Sequence, residues 1–245
     1  MDHANATFLT AADLILASLA FASGSADIFA FLKFHDVFTS AMTGNTALLG
    51  LALGQGHILA AGRSLAALLG FCAGSVAGTI LNDAGAGARQ STRLRRLIAV
   101  EIAGLLIVLV VWGIVRHPVY GVPLYALIMT GAVAMGMQSV AAREIDLPGI
   151  NTVVVTNTLT LVMMAIGGVI RLSGRERRLR LDPLRPITLR QIATLLLYLC
   201  GATLSALLAT IFAAAIAIPA LLAAVFAFAM AGRFREKPNA ALPGA

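Results

Sequence analysis

Residues 41–54 run AMTGNTALLGLALG and residues 151–170 run NTVVVTNTLTLVMMAIGGVI. Each is an apolar stretch that opens on hydroxyl and amide side chains: Thr43, Asn45 and Thr46 around Gly44 in the first, Thr156, Asn157 and Thr158 in the second. The first is shorter than the roughly 20 apolar residues a helix needs to cross a bilayer. Polar groups at such depth are costly unless they face protein or a water-filled cavity. The reading of these two stretches decides the fold. As full crossings they make eight spans; as re-entrant segments, entering and leaving on one face, they leave six.

Six further apolar stretches surround them, near 12–32, 61–81, 97–115, 123–142, 191–213 and 215–232. The class follows from composition: 59% of the 245 residues are hydrophobic and 12% charged, and mean hydropathy is +0.91. A soluble domain covers itself with about 25% charged residues. Lipid must therefore be the solvent for most of this surface, and residues 1–245 read as a single membrane domain. Cys72 and Cys200 both lie in apolar runs, which argues against a disulfide framework. The first stretch, with Gly24, Asp27 and a long continuation, reads as a retained helix and not a signal peptide.

Charge then chooses between the two folds. Of the 18 Lys and Arg residues, 14 fall in three groups: Arg89, Arg93, Arg95 and Arg96; seven arginines from Arg171 to Arg190; and Arg233, Arg235 and Lys237. The positive-inside rule places all three groups in the cytoplasm of a bacterial inner membrane. Eight full spans would put the first two groups on opposite faces. Six spans plus two re-entrant helices put all three inside, with both termini and the tail 233–245 cytoplasmic.

An odd number of crossings per half then requires the halves, 12–116 and 117–232, to be inverted relative to each other. Internal similarity supports the division. Thr43-Gly44-Asn45-Thr46 lies over Thr156-Asn157-Thr158-Leu159 at an offset of 113, and Gly24-Ser25-Ala26-Asp27 over Gly136-Met137-Gln138-Ser139 one residue out of step. Phe71-Cys72 lies over Leu199-Cys200 at 128. The expected fold is all-α: about six transmembrane helices, two short re-entrant or broken ones, and two inverted repeats.

A helix that begins inside a membrane leaves about four backbone N–H groups free and a partial positive charge at its start. Thr and Asn can cap such an end, and glycine permits close backbone approach. Two such breaks, entering from opposite faces, would meet near the midplane, where inverted-repeat transporters bind substrate. Asp27 lies deep in the first span. An intramembrane carboxylate is a functional hypothesis by default, here as a proton carrier, a substrate contact or a static partner of the Thr43/Asn45 break. Gln138 is its neutral near-counterpart. Glu101 is expected to pair with Arg95 and Arg96 at the interface, Arg143 to join Glu144 and Asp146 in a cytoplasmic cluster, and Arg63 to reach outward along its stem. Gly70, Gly74 and Gly78 form a small-residue face for helix packing, with Gly201, Ser205 and Ala209 a weaker copy. His3, His35, His57 and His117 lack metal-ligand spacing, and no G-x-S-x-G, H-E-x-x-H or P-loop occurs. No enzyme, metal or cofactor is expected.

The run Gly24-x-x-Asp27, Phe38-x-x-x-Met42-Thr43-Gly44-Asn45-Thr46, Met135-Gly136-Met137-Gln138 and Thr152-x-x-x-Thr156 resembles the YoaK-like bacterial membrane proteins, a family of unknown function numbered 1275. The resemblance spans roughly 12–232, and M-T-G-N is its most specific element. It implies an inner-membrane protein of about six spans and no particular substrate. Asn157 stands where the family pattern leads one to expect glycine.

Two functions remain. One is a secondary transporter or channel for a small solute, with a path along Asp27, Thr43, Gly44, Asn45, Thr46, Gln138, Thr156, Asn157 and Thr158. The other is a non-transporting scaffold whose basic loop 171–190 binds anionic lipid or a partner. Expected partners are membrane lipids and a small solute or ion, not nucleic acid; a homo-oligomer is left open.

Overall fold

The computed structural model describes residues 10–145, 155–170, 174–211 and 217–234, with the side chains of 155–158, 165, 168–170 and 174–188 outside that description. Every regular element among the described residues is a helix: α1 (Ala11–Lys33), α2 (Met42–Gly54), α3 (Ile58–Asp83), α4 (Gln90–Ile114), α5 (Gly121–Glu144), α6 (Val155–Ile170), α7 (Gly174–Ile211) and α8 (Ile218–Ala231). Five have the length and apolarity to cross a membrane: α1, α3, α4, α5 and the Leu189–Ile211 part of α7. The chain is thus a multi-pass membrane protein. Two expectations shift. α8 has 14 residues, about 21 Å at 1.5 Å per residue, short of the stretch 215–232 expected as a full span. Residues 174–190, expected as part of a loop, are helical, although Pro183 and Pro186 stand within them.

Why these helices assemble is legible in their surfaces. Leu51, Leu53, Ile58, Leu59, Leu69, Val76 and Ile80 remain exposed; between them lipid leaves no hydrophobic driving force for association, so close van der Waals contact between small residues must supply it. Gly70 and Gly74 of α3 lie against the backbone of α5 at Met129 and Val133, and Gly78 lies against Met137 and Val140. Gly136 of α5 returns the contact at Phe71 and Ser75. On the other side Gly24 of α1 lies against Tyr198 and Ala202 of α7, and Gly201 against Phe21. The small-residue faces therefore build the interior of one molecule.

The packing pattern maps onto itself. α1 packs on α7 and α8; α5 packs on α3 and α4; α2 packs on α3 as α6 does on α7; α1 also meets α5, and α4 meets α8. Exchanging each helix with the one four places along returns the same set. In α1 and α5, which bury two-thirds of their apolar windows where α3 and α4 bury a third, an offset of 112 carries Phe21 to Val133 and Gly24 to Gly136; between α3 and α7 an offset of 127 carries Phe71 to Tyr198 and Gly74 to Gly201. The first is the offset at which the sequence comparison lays Gly24 over Gly136; the second is one less than the 128 it gives, because contacting glycines fix the register where apolar side chains alone do not.

The buried clusters order the helix ends. Ile15, Leu16 and Leu19 of α1 share one cluster with Leu94, Leu97 and Ile98 of α4, Ala141 and Ala142 of α5, and Ala227 and Ala231 of α8. Phe29 and Ala30 share another with Ala66 and Ala67 of α3, Val108 and Trp112 of α4, and Leu124, Leu127 and Ile128 of α5. Arg93 bonds Glu144, Asn82 donates to Glu144 at 2.9 Å, and Arg190 meets Asp13 at 2.7 Å. The arginine-bearing end thus gathers the starts of α1 and α4, the ends of α3, α5 and α8, and α7 near Arg190. α1 finishes and α3 begins at the far end, where Arg63 Nε donates to the His35 carbonyl at 3.2 Å.

Candidate functional site: the Asp27 clasp and its surroundings

Between α1 and α2 the chain turns back on itself. His35 and Asp36 take φ of 58° and 65°, the left-handed region that His and Asp enter more readily than most residues. Three contacts hold the turn: His35 Nε2 lies 3.1 Å from the Val119 carbonyl, its ring stacks on Tyr120 at 5.0 Å, and its own carbonyl accepts from Arg63. Arg63 thus reaches along its stem to the turn at this far end.

The returning strand of chain, residues 37–41, ends against Asp27. One carboxylate oxygen accepts from the backbone N–H of Thr39 at 2.9 Å and of Ser40 at 2.6 Å. The other accepts from the Ser40 hydroxyl at 2.7 Å and from the Tyr198 hydroxyl at 2.7 Å. Longer contacts at 3.4 Å reach Thr39 Oγ1 and the Ala41 N–H. Asp27 is fully buried, and this is how a buried charge is tolerated: hydrogen bonds replace its water. The partners are Thr39, Ser40 and Tyr198, not the Thr43/Asn45 break.

Asn45 closes the same loop from the other side. Its Oδ1 accepts from Phe38 N–H at 2.9 Å and its Nδ2 donates to the Phe38 carbonyl at 2.7 Å. The Phe38 ring covers Gly44 so closely that a Cβ there would touch it. Thr43 is exposed, and Thr46 is exposed with its hydroxyl bonded to the Met42 carbonyl at 2.9 Å. None of these side chains caps α2; its N-terminus has no side-chain cap at all.

Gln138 is buried on α5 and donates to the Leu19 carbonyl at 2.5 Å and to Ser23 Oγ at 2.9 Å. It faces α1 one turn from Asp27 and is not among the clasp's bonds. Ser25 and Ser205, both buried, share a hydrogen bond of 2.5 Å where α1 meets α7. Thr156, Asn157 and Thr158 belong to α6, and their side chains lie outside the described residues. The six described site residues thus divide: Asp27 and Asn45 hold one loop, Gln138 ties α5 to α1, and Thr43, Gly44 and Thr46 flank the loop's exit into α2.

Two features escaped the sequence reading. Glu101 is fully buried, and neither of its oxygens has a hydrogen-bond partner among the described residues. It does not pair with Arg95, whose guanidinium lies over Phe228 at 4.5 Å. The signal was available: 94, 97, 98, 101, 105, 108 and 112 are the buried positions of α4, a helical stripe with Glu101 at its centre. Arg143, likewise, is exposed and leaves Glu144 to Arg93, while Asp146, the other expected member of its cluster, lies outside the described residues. The second feature is a cavity of about 630 Å³ at the far end, lined by Lys33, His35, Trp112, His117 and Val119.

Comparison with known proteins places this chain among relatives. The family model described as protein of unknown function (DUF1275) matches residues 15–229. The chain is 32% identical over 193 residues to the UPF0700 transmembrane protein YoaK of Bacillus subtilis (strain 168), covering 79% of this chain and 82% of that protein. No solved structure matches.

Proposed function

The chain belongs to the DUF1275 family, and from that premise we propose that it is a secondary transporter or channel for a small solute, built from two inverted repeats, 12–116 and 117–232, in a bacterial inner membrane. The observation that carries this reading is a helix start held inside the bundle. The Asp27 clasp pins residues 39–41 six residues, about 9 Å, inside the end of α1, so α2 begins there with no side-chain cap. Backbone ends of this kind are costly in lipid and occur where protein or a watery cavity surrounds them. They attract anions and carbonyl oxygens.

The self-mapping packing pattern supports the repeat. So do the helix ends: α1 and α4 start at the arginine-bearing end, where their counterparts α5 and α8 finish. On this reading α2 and α6 are re-entrant from opposite faces and six helices cross. The arginine-bearing end and both termini are cytoplasmic. Carrying the 112 offset through α6 lays Asn157 over Asn45 and Thr158 over Thr46, and moves the mismatch with glycine to Thr156. The path runs between the two breaks, along Thr43, Gly44, Asn45, Thr46, Thr156, Asn157 and Thr158, with Asp27 and Gln138 as its walls. The cavity beside Lys33 lies at the outer end, and its lysine charge suits an anionic solute.

Purified protein in liposomes, given a panel of small anions and neutral carbonyl solutes with and without a pH gradient, tests this. Uptake of at least one solute, lost when Gly44 is replaced by valine, is expected. No uptake of any solute, together with liposome binding that disappears when the arginines of 171–190 are replaced by glutamine, would establish the scaffold reading in its place.

A further inference from the structure

Glu101 stands 11 residues into α4, about 16 Å from its start at 1.5 Å per residue. It is 0% exposed and both carboxyl oxygens are without a partner among the described residues. Its layer is bracketed by buried apolar side chains. One turn towards the arginine-bearing end, Leu97 and Ile98 pack with Met137 and Ala227. One turn the other way, Leu105 packs with Ala134, Ala220 and Ala224.

The elements around it offer no counter-charge. α8 contains no ionisable residue between Ile218 and Ala231. On α5, Tyr125 donates to the Leu59 carbonyl, Arg143 is exposed and Glu144 bonds Arg93. On α3, Arg63 serves the His35 carbonyl, while Cys72 and Asp83 are exposed. On α4 itself Arg95 covers Phe228 and Arg96 lies by Gly85. Among the described residues the ion pairs are Arg93–Glu144 and Arg190–Asp13 alone.

An unpaired carboxylate in such a layer costs several kcal/mol. Three things relieve that cost: a metal cation, a basic partner or a proton. No group of three metal-binding side chains occurs among the described residues, and the flanking layers give a cation no other oxygen ligands. Among the described residues no basic side chain pairs with it. A proton needs only one carboxyl oxygen and no further ligand, and it removes the charge.

We propose that Glu101 is a proton-binding site in the centre of the bundle, separate from the Asp27 clasp. The carboxylate takes one proton from water at the arginine-bearing end, forming an O–H bond, and returns it there. With the proton on, α4, α5 and α8 close around a neutral group. With it off, the unpaired charge favours any arrangement in which α8 moves aside and water enters, so proton binding biases the packing of α8. Asp27, whose two oxygens are saturated by four close donors, is a positioning residue for the re-entrant loop. This site does not rest on the transport reading, because a proton can load and unload whether or not a solute moves.

The test uses the full chain in phosphatidylcholine liposomes. Dicyclohexylcarbodiimide, an apolar reagent that adds to protonated carboxyl groups, is applied over a pH series and the adduct is located by mass spectrometry. Adduct on Glu101, falling as pH rises, with Asp27 unmodified, is the expected result. In parallel, infrared spectra should contain a carboxylic-acid carbonyl band that Glu101→Gln removes and Asp27→Asn leaves. Absence of adduct on Glu101 at every pH, or adduct on Asp27 instead, overturns the assignment. The labelling needs only the unaltered protein, so it decides even if Glu101→Gln fails to fold. Neither readout depends on solute uptake, so failure of one proposal is distinguishable from failure of the other.

Discussion

The Tyr198 hydroxyl of α7 donates to the carboxylate of Asp27 on α1 at 2.7 Å, joining positions 171 residues apart. The offsets that superpose the two packing patterns put Ser139 where Asp27 stands and Phe71 where Tyr198 stands. A phenyl ring has no hydroxyl to give, so this bond exists in one half only. If the two halves repeat each other, they differ in what fastens them.

Tyr198→Phe therefore loses a charge-assisted hydrogen bond, worth about 1.5–3 kcal/mol, and thermal unfolding in detergent should register that loss. Asp27→Asn is more severe. Its neutral amide oxygen still accepts from the N–H groups of Thr39 and Ser40, but the charge that strengthens all four bonds is lost; about 3 kcal/mol is expected. If the two residues act through their shared bond, the double variant is less destabilised than the sum. Additive effects would mean that the bond contributes nothing.

Much of this was legible beforehand, and the parts that were not have physical causes. Composition alone dictated a membrane protein, because there is not enough charge to cover a soluble surface. Asp27 was conspicuous because a carboxylate deep in an apolar run must be satisfied. Its partners were not, since Thr39, Ser40 and Tyr198 reach it only through a turn and a second helix. Glu101 was misread from proximity along the chain. Arg95 and Arg96 are six and five residues away, and helix neighbours that face each other are three or four apart. Side chains of residues 155–158 lie outside the described structure, so the expectations for the second break stand as they were.

Asp36 occupies the left-handed region with an exposed side chain, where a Cβ is unfavourable and glycine is at ease. Its one backbone role, donating to the Phe31 carbonyl at 3.1 Å, does not need that side chain. Asp36→Gly is expected to stabilise by about 0.5–1 kcal/mol, read as a higher unfolding temperature. A lower temperature would show that the carboxylate does something the fold does not reveal.

The glycines sort into two groups by what a methyl would meet. At Gly24, Gly74, Gly136 and Gly201 a Cβ would overlap the backbone of the facing helix. At Gly50, Gly54 and Gly113 nothing lies within 4 Å. Alanine at any of the first four should cost at least the 1–3 kcal/mol typical of overpacking, roughly doubled because backbone cannot rotate away. Alanine at the last three should be neutral or slightly favourable, as glycine lowers helix stability by about 1 kcal/mol. The comparison is made by size-exclusion profile and unfolding temperature of single variants. The repeat reading adds a condition: Gly24 and Gly136 should respond alike, and so should Gly74 and Gly201, because each pair holds equivalent positions.

The sharpest prediction concerns faces. With Cys72 and Cys200 replaced, single cysteines are placed at exposed positions that flank the two short helices. Asp36 and Gln55 flank α2, and Arg143 and Leu189 flank α6. If α2 crossed the membrane, its flanks would lie in different compartments, and so would those of α6. In the six-crossing arrangement each pair shares a face, and the two pairs have opposite faces. An impermeant maleimide applied to intact cells should therefore modify Cys at 36 and 55 and spare 143 and 189. Permeabilised cells should be modified at all four. Reaction at 36 but not 55 makes α2 a full span, and reaction at 143 but not 189 does the same for α6. Either result removes the inversion: a half with four crossings returns the chain to the face it started from, and its partner can then only repeat in the same sense.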